Sequence, residues 1–175
     1  MRKLILAAFL VAMPFVASAD DELPGTYRLI SSTRKILDTG EEVKDTYGKH
    51  PSGSVMYGKD GRFLVLVVYD ERPKLESIDK TTDQQRADLF RSMLAYGGTY
   101  KFDGKSIKHE IDMSWNEVWT GTTVIRDVTR DGDKLIYTTR PAPFSGDGKM
   151  SVVTVGPYTE GLPTAHTVIV GATIE

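Results

Sequence analysis

The chain has 175 residues, and 24 acidic against 22 basic residues give it a net charge of −2 at pH 7. The sequence also contains no basic patch, which argues against a nucleic-acid-binding surface. The sequence contains no cysteine, which excludes disulfides, thiol chemistry and thiolate metal sites.

Residues 1–19 have the pattern of a cleaved secretory signal peptide. Arg2 and Lys3 precede an apolar run over 4–16, and Ala-Ser-Ala follows as a cleavage signature. The run is too short for a membrane span, so we expect no membrane insertion, with an uncleaved anchor as the alternative. Cleavage would leave 20–175 as one domain, periplasmic or secreted, and the absence of cysteine excludes a lipid anchor.

The first half of that domain reads as short strands separated by turns. The predicted elements are a strand over 25–31, an irregular strand over 41–47, a loop over 47–53, and a hairpin of 54–57 with 62–69. The arm over 62–69 is apolar on both faces, so an element must cover its outer side.

A helix is predicted from Thr82 to Tyr96. Thr82 and Gln85 have capping-box spacing, and an apolar stripe that includes Phe90 follows at helical spacing. Gly97 and Gly98 suit a helix end. We expect this helix to pack its stripe on the outer face of the strand over 62–69.

The central hairpin runs from 96 to 115 and turns at Asp103-Gly104. Its second arm alternates apolar and polar residues with a period of two, which separates them onto two faces. The apolar face comprises Ile107, His109, Ile111, Met113 and Trp115. A single histidine therefore lies on an otherwise apolar face.

Further strands are predicted over 122–129, 134–140, 150–155 and 165–174, with an open-end loop over 141–149. About eight to ten short strands favour an all-β, closed antiparallel barrel or a sandwich. The polar face around Lys108, Glu110 and Asp112 cannot face lipid. We expect a soluble barrel with an apolar lumen and one helix packed outside.

The chain resembles the lipocalin-like domain family of bacteria and fungi, relatives of the lipocalins with a calycin-type barrel. The resemblance rests on Gly25-Thr26-Tyr27-Arg28-Leu29, Tyr47-Gly48, Pro51, Gly53, Tyr57, Asp60-Gly61-Arg62, Arg72-Pro73, Tyr96, Gly98-Thr99-Tyr100, His109, Trp119-Thr120-Gly121, Arg126 and Gly132-Asp133-Lys134-Leu135. It implies a barrel with a pocket and little about chemistry. Tyr27 stands where the family usually has Trp, and the C-terminus lacks the family's Trp-Glu-Arg-like strand.

His109 is the sharpest candidate for function, since the alternation places it in the lumen. A buried neutral imidazole offers one donor and one acceptor and titrates near neutrality. It can hold a ligand carbonyl or hydroxyl, or act as a general acid or base. The alternative is a core histidine that hydrogen-bonds to a neighbouring strand.

Other candidate ligand-binding residues also point inward. Arg126 alternates with Val124 and Val128, and it either clamps a ligand carboxylate or plays a structural role near the closed end. The aromatic residues are Trp115, Trp119, Tyr57, Tyr100 and Tyr137, which line the barrel as ligand contacts or fill its core.

No metal site or cofactor is expected. His50, His109 and His166 have no metal-ligand spacing, and no nucleotide or nucleophile motif is present.

Three hypotheses remain for the function. The favoured one is an exported carrier or sensor that binds a small apolar or amphipathic molecule. The others are an isomerase, cyclase or hydrolase that uses His109, and a structural barrel filled by its own side chains.

Overall fold

The computed structural model describes residues 23–131 and 134–160, with 157–160 as backbone only. The predicted signal peptide over 1–19, the strand predicted over 165–174 and His166 lie outside the described residues. Within the described part, no helix is both long and apolar enough to cross a membrane.

Eleven strands and one α-helix make up the described part of the chain. They are β1 (Gly25–Leu29), β2 (Ser32–Ile36), β3 (Glu42–Lys44), β4 (Ser52–Tyr57), β5 (Arg62–Val68), α1 (Asp83–Arg91), β6 (Met93–Phe102), β7 (Ser106–Ser114), β8 (Thr123–Asp131), β9 (Lys134–Thr139), β10 (Ala142–Pro143) and β11 (Met150–Glu160). A 3-10 turn over Glu117–Trp119 connects β7 to β8. The all-β class with a single helix is therefore confirmed.

The strands form one antiparallel sheet that curls into a half-barrel. The strand order is β1-β4-β5-β6-β7-β8-β9-β11-β2-β3, with β10 beside β11. The end of β11 is also in register with β1, from Tyr27 opposite Glu160 to Leu29 opposite Tyr158. Most neighbours in the sheet are neighbours in sequence, as hairpin connections require.

The concave face of the sheet carries the core. On β5, Phe63, Val65 and Val67 are buried, whereas Leu64 and Leu66 between them are 40% and 44% exposed. The same two-residue period places Ile107, His109 and Ile111 of β7 inside. The strand phase predicted for His109 is therefore confirmed, and the imidazole is only 1% exposed.

The helix is shorter than predicted. Thr82 caps it with the predicted capping box, but it ends at Arg91, and the chain enters β6 at Met93. Helical spacing and the alternation of a strand are hard to distinguish over so short an apolar run. Gly97 and Gly98 therefore lie inside β6 and do not end the helix, which corrects that prediction.

The prediction that the helix covers the outer face of β5 is also wrong. Leu64 and Leu66 remain largely exposed, and no residue of α1 is buried. Phe90 is 45% exposed and packs at a ring-centre distance of 6.1 Å from Trp115. The indole N–H of Trp115 donates to the Phe90 carbonyl at 3.3 Å, which ties the helix end to the end of β7.

A β-bulge changes the orientation of side chains near the end of β7. Gly97 is opposite Met113 and Gly98 is opposite Ile111, so the extra residue Asp112 has no partner on β6. Because the bulge reverses the alternation, Met113 points outward and is 51% exposed, contrary to the prediction. A Cβ on Gly98 would lie 1.9 Å from the Glu110 carbonyl oxygen, so only glycine permits this close approach.

The last described strand is longer than predicted. Gly156-Pro157 does not end it, because β11 continues to Glu160 with a register shift against β9 between Val155 and Tyr158. A proline is tolerated where a ladder is already irregular.

Candidate functional site

The interior is filled at one end and hollow at the other. Tyr27, Tyr57 and Tyr137 are buried at the filled end, and the Tyr27 and Tyr57 rings meet edge to face at 6.2 Å. Phe63 lies between the two halves, and its ring stacks on His109 at 3.9 Å with an interplanar angle of 11°. This end of the interior is therefore filled by aromatic side chains of the chain itself.

His109 is bound on both ring nitrogens by protein groups. Its Nε2 lies 3.0 Å from the hydroxyl of Tyr57, and Arg126 Nη1 lies 2.9 Å from its Nδ1. Arg126 is positioned because its partner on β7, Ile107, lies two residues from His109 on the same face. The second guanidinium nitrogen, Nη2, donates to the Tyr96 hydroxyl at 2.7 Å.

These contacts fix the tautomer of His109. A guanidinium has only donors, so Nδ1 must accept and carries no proton. The proton of the neutral ring is then on Nε2, which donates to Tyr57. The hydrogen bonds therefore run in one direction, from Arg126 through His109 to Tyr57.

Burial and charge keep this network neutral apart from the guanidinium. Burial, with the adjacent charge of Arg126, lowers the pKa of His109 to about 2. Burial is also the main cause that raises the pKa of Tyr57 well above its ordinary value, and the pKa of Tyr96 rises for the same reason. The cluster therefore has no group that exchanges a proton near neutral pH.

The other end of the interior contains a cavity of about 580 Å³. Its walls are mainly apolar, as is typical of small-molecule sites. Val65 and Val67 of β5, Leu94 of β6 and Val153 and Val155 of β11 line the wall, and Tyr96 and Arg126 separate the cavity from the filled end. The indole of Trp119 also borders it and meets Tyr96 at 5.2 Å.

The segment from Pro141 to Ser145 covers part of this cavity. It is held by Arg34 of β2, a buried side chain whose Nη1 and Nη2 donate to both carboxylate oxygens of Asp147 at 2.9 and 2.7 Å. Arg34 Nε donates to Ser151 at 2.9 Å, and its guanidinium lies 4.1 Å from the ring centre of Phe144. Arg34 therefore contacts the cover directly at Phe144 and holds Asp147, two residues beyond its end.

Sequence-predicted residues are divided between the two halves of the interior. Arg126 and Trp119 border the cavity. His109, Tyr57, Tyr100 and Tyr137 belong to the filled end, where the Tyr100 hydroxyl donates to the Gly58 carbonyl at 3.0 Å. Trp115 lies at the periphery, between Phe90 and Trp119.

Arg34 and Tyr96 were not among the residues predicted to be functional. Arg34 alternates with Ser32 and Ile36, and that pattern places it inside. Tyr96 was assigned to the end of a helix, which concealed its inward direction on β6.

Two comparisons with known proteins bear on this geometry. The sequence profile of the lipocalin-like domain family matches residues 24–155. No curated protein matches the chain. The matched region begins just before β1 and ends within β11, so it spans both the filled end and the cavity.

Proposed function

The chain belongs to the lipocalin-like domain family, and from that premise we propose that it is an exported carrier or sensor for a small apolar or amphipathic molecule. The observation that carries the proposal is the cavity of about 580 Å³ at one end of the interior. That volume lies within the range of sites for single small ligands, and its walls are mainly apolar.

The proposal includes closure of the sheet into a barrel. The registers of β1 with β4 on one flank and with the end of β11 on the other support it, because together they would leave no free edge between the first and last strands. An eight-stranded ring is large enough to hold one small ligand.

Binding is better supported than catalysis. A general base needs a nitrogen within reach of the substrate, but the Nδ1 of His109 accepts from Arg126 and its Nε2 donates to Tyr57. A pKa of about 2 also makes the imidazole a weak base at neutral pH. The geometry therefore gives no support to the hypothesis of a His109-dependent isomerase, cyclase or hydrolase.

Native mass spectrometry of the protein isolated from its own exported fraction tests the proposal. A bound molecule at one per chain is the expected result.

The purified protein should also bind the fluorophore 8-anilinonaphthalene-1-sulfonate saturably at one site. Val153→Phe, inside the cavity, should weaken this binding, whereas Met56→Phe on the outer face should not. Equal binding by both variants would overturn the proposed location.

Export is the second part of the proposal, and its support is the sequence of the first nineteen residues. N-terminal sequencing of the exported protein should begin at Asp20. An exported protein that begins at Met1 would contradict cleavage.

A further inference from the structure

We propose that the ligand is an organic anion, whose charged head lies against Arg126 at the inner end of the cavity and whose apolar body lies along the wall. This inference rests on the proposed function and specifies the chemical class of the ligand. It is drawn from the charges that border the cavity and from the way the guanidinium is held.

The charge of the cavity wall has one sign. The two charged residues that border it are Arg126 and Arg140, and no acidic residue is among the described residues that do so. Thr123 and Thr139 are neutral polar residues on the same border. A cavity with low-dielectric walls and charge of one sign favours a ligand of the opposite charge.

Arg126 is also positioned before any ligand arrives. Two of its hydrogen bonds go to neutral groups, the Nδ1 of His109 and the hydroxyl of Tyr96. Because His109 is stacked on Phe63, the orientation of the guanidinium is fixed through the buried aromatic cluster. A guanidinium held in place can recognise a carboxylate, sulfonate or phosphate with little loss of side-chain entropy.

The wall beyond Arg126 suits an apolar body. Val65, Val67, Leu94 and Val155 line the same cavity as Arg126. A ligand with its head at Arg126 would therefore place its chain against these side chains. Placing the head among these aliphatic side chains would cost free energy for an ion.

Three probes of one length and different charge test the inference by isothermal titration calorimetry: decanoate, 1-decanol and decylamine. The wild-type protein should bind decanoate about 10- to 100-fold more tightly than decanol, the range for a hydrogen bond to a charged group. Decylamine should bind more weakly than decanol. Equal affinity for decanoate and decanol would overturn the anion preference but leave the proposed function in place. No binding of any of the three would count against both.

The location of the head is tested by Arg126→Gln, with Arg62→Gln as the matched control on the outer surface. In Arg126→Gln, the ratio of decanoate affinity to decanol affinity should fall to near one, while decanol affinity stays at the wild-type value. Arg62→Gln should change neither the ratio nor the decanol affinity. A preference that persists in Arg126→Gln would overturn the assignment of the head to Arg126.

A measurement on wild-type protein covers the case in which Arg126→Gln does not fold. The carboxyl carbon of decanoate can be labelled with 13C and titrated while bound. A guanidinium in contact should lower the pKa of the bound carboxyl below that of the free acid. An unchanged or raised value would overturn the contact.

Discussion

Arg126 donates from Nη1 to Nδ1 of His109 at 2.9 Å, and this contact determines what the histidine can do. The imidazole must be neutral to accept from a guanidinium, and its one proton must lie on Nε2, which faces Tyr57. His109 therefore joins the cavity-facing arginine to the buried tyrosines of the filled end. Its role in this arrangement is to position Arg126.

The burial of neutral His109 predicts a specific pH dependence of stability. The pKa of His109 is about 2 in the folded protein and about 6.5 in an unfolded chain, so the unfolded state binds the extra proton between these values. Its contribution to stability is complete above pH ~6.5 and declines as the pH falls, by up to about 1.4 kcal/mol per pH unit.

His109→Gln isolates this effect, since the variant keeps hydrogen-bonding capacity but does not titrate. Denaturant unfolding of both proteins from pH 7 to pH 4 should show the free energy of unfolding falling more steeply for wild type. The carboxylates titrate in both proteins and cancel in the difference. Parallel curves would show that the imidazole is not kept neutral. Decanol affinity should change little, because His109 does not border the cavity. Decanoate should bind more weakly, because His109 holds the guanidinium of Arg126.

Tyr57→Phe should destabilise the protein by about 1–3 kcal/mol, because it leaves the Nε2 proton of His109 buried without its acceptor. Tyr100→Phe is the matched control. The Tyr100 hydroxyl donates to the Gly58 carbonyl near the surface, where water can replace it, so a loss below about 1 kcal/mol is expected. Equal losses in urea denaturation would contradict a buried hydrogen bond between Tyr57 and His109.

The sequence predicted the class of fold and the strand around His109 because alternation is a strong local signal. Ile107, His109 and Ile111 follow a period of two, and that period directly gives the buried face. The Thr82 capping box was likewise readable, since it involves residues three apart.

Longer-range features could not be predicted. The bulge at Asp112 depends on the close approach of Gly98 to Glu110, a contact between two strands that no local pattern encodes. The same holds for Arg34, whose partner Asp147 is 113 positions away. The cavity also depends on how far side chains from several strands extend across the interior.

Because α1 does not cover β5, Phe90→Ala should destabilise the protein less than the truncation of a buried phenylalanine would. A buried phenylalanine would cost about 3–5 kcal/mol on truncation. Phe90 is 45% exposed and touches mainly Trp115, so a loss of about 1 kcal/mol is expected instead. Phe63→Ala, which removes the ring stacked on His109, should reach the full range. Thermal denaturation that ranks Phe90→Ala as the more damaging would contradict the position of α1.

Arg34→Lys should destabilise the protein by about 1–3 kcal/mol, although it preserves the charge. Lysine cannot reproduce the paired hydrogen bonds to Asp147, the Nε contact with Ser151 or the planar stack on Phe144. Arg62→Lys is the matched control, because Arg62 makes the same paired contact with Asp112 on the exposed outer face, where ion pairs contribute little. Urea denaturation should therefore show a clear loss for Arg34→Lys and a much smaller one for Arg62→Lys.

Since Arg34 holds the segment that covers the cavity, Arg34→Lys should also speed the release of 8-anilinonaphthalene-1-sulfonate in stopped-flow measurements. Unchanged release together with unchanged stability would show that the three contacts of Arg34 do not hold the cover.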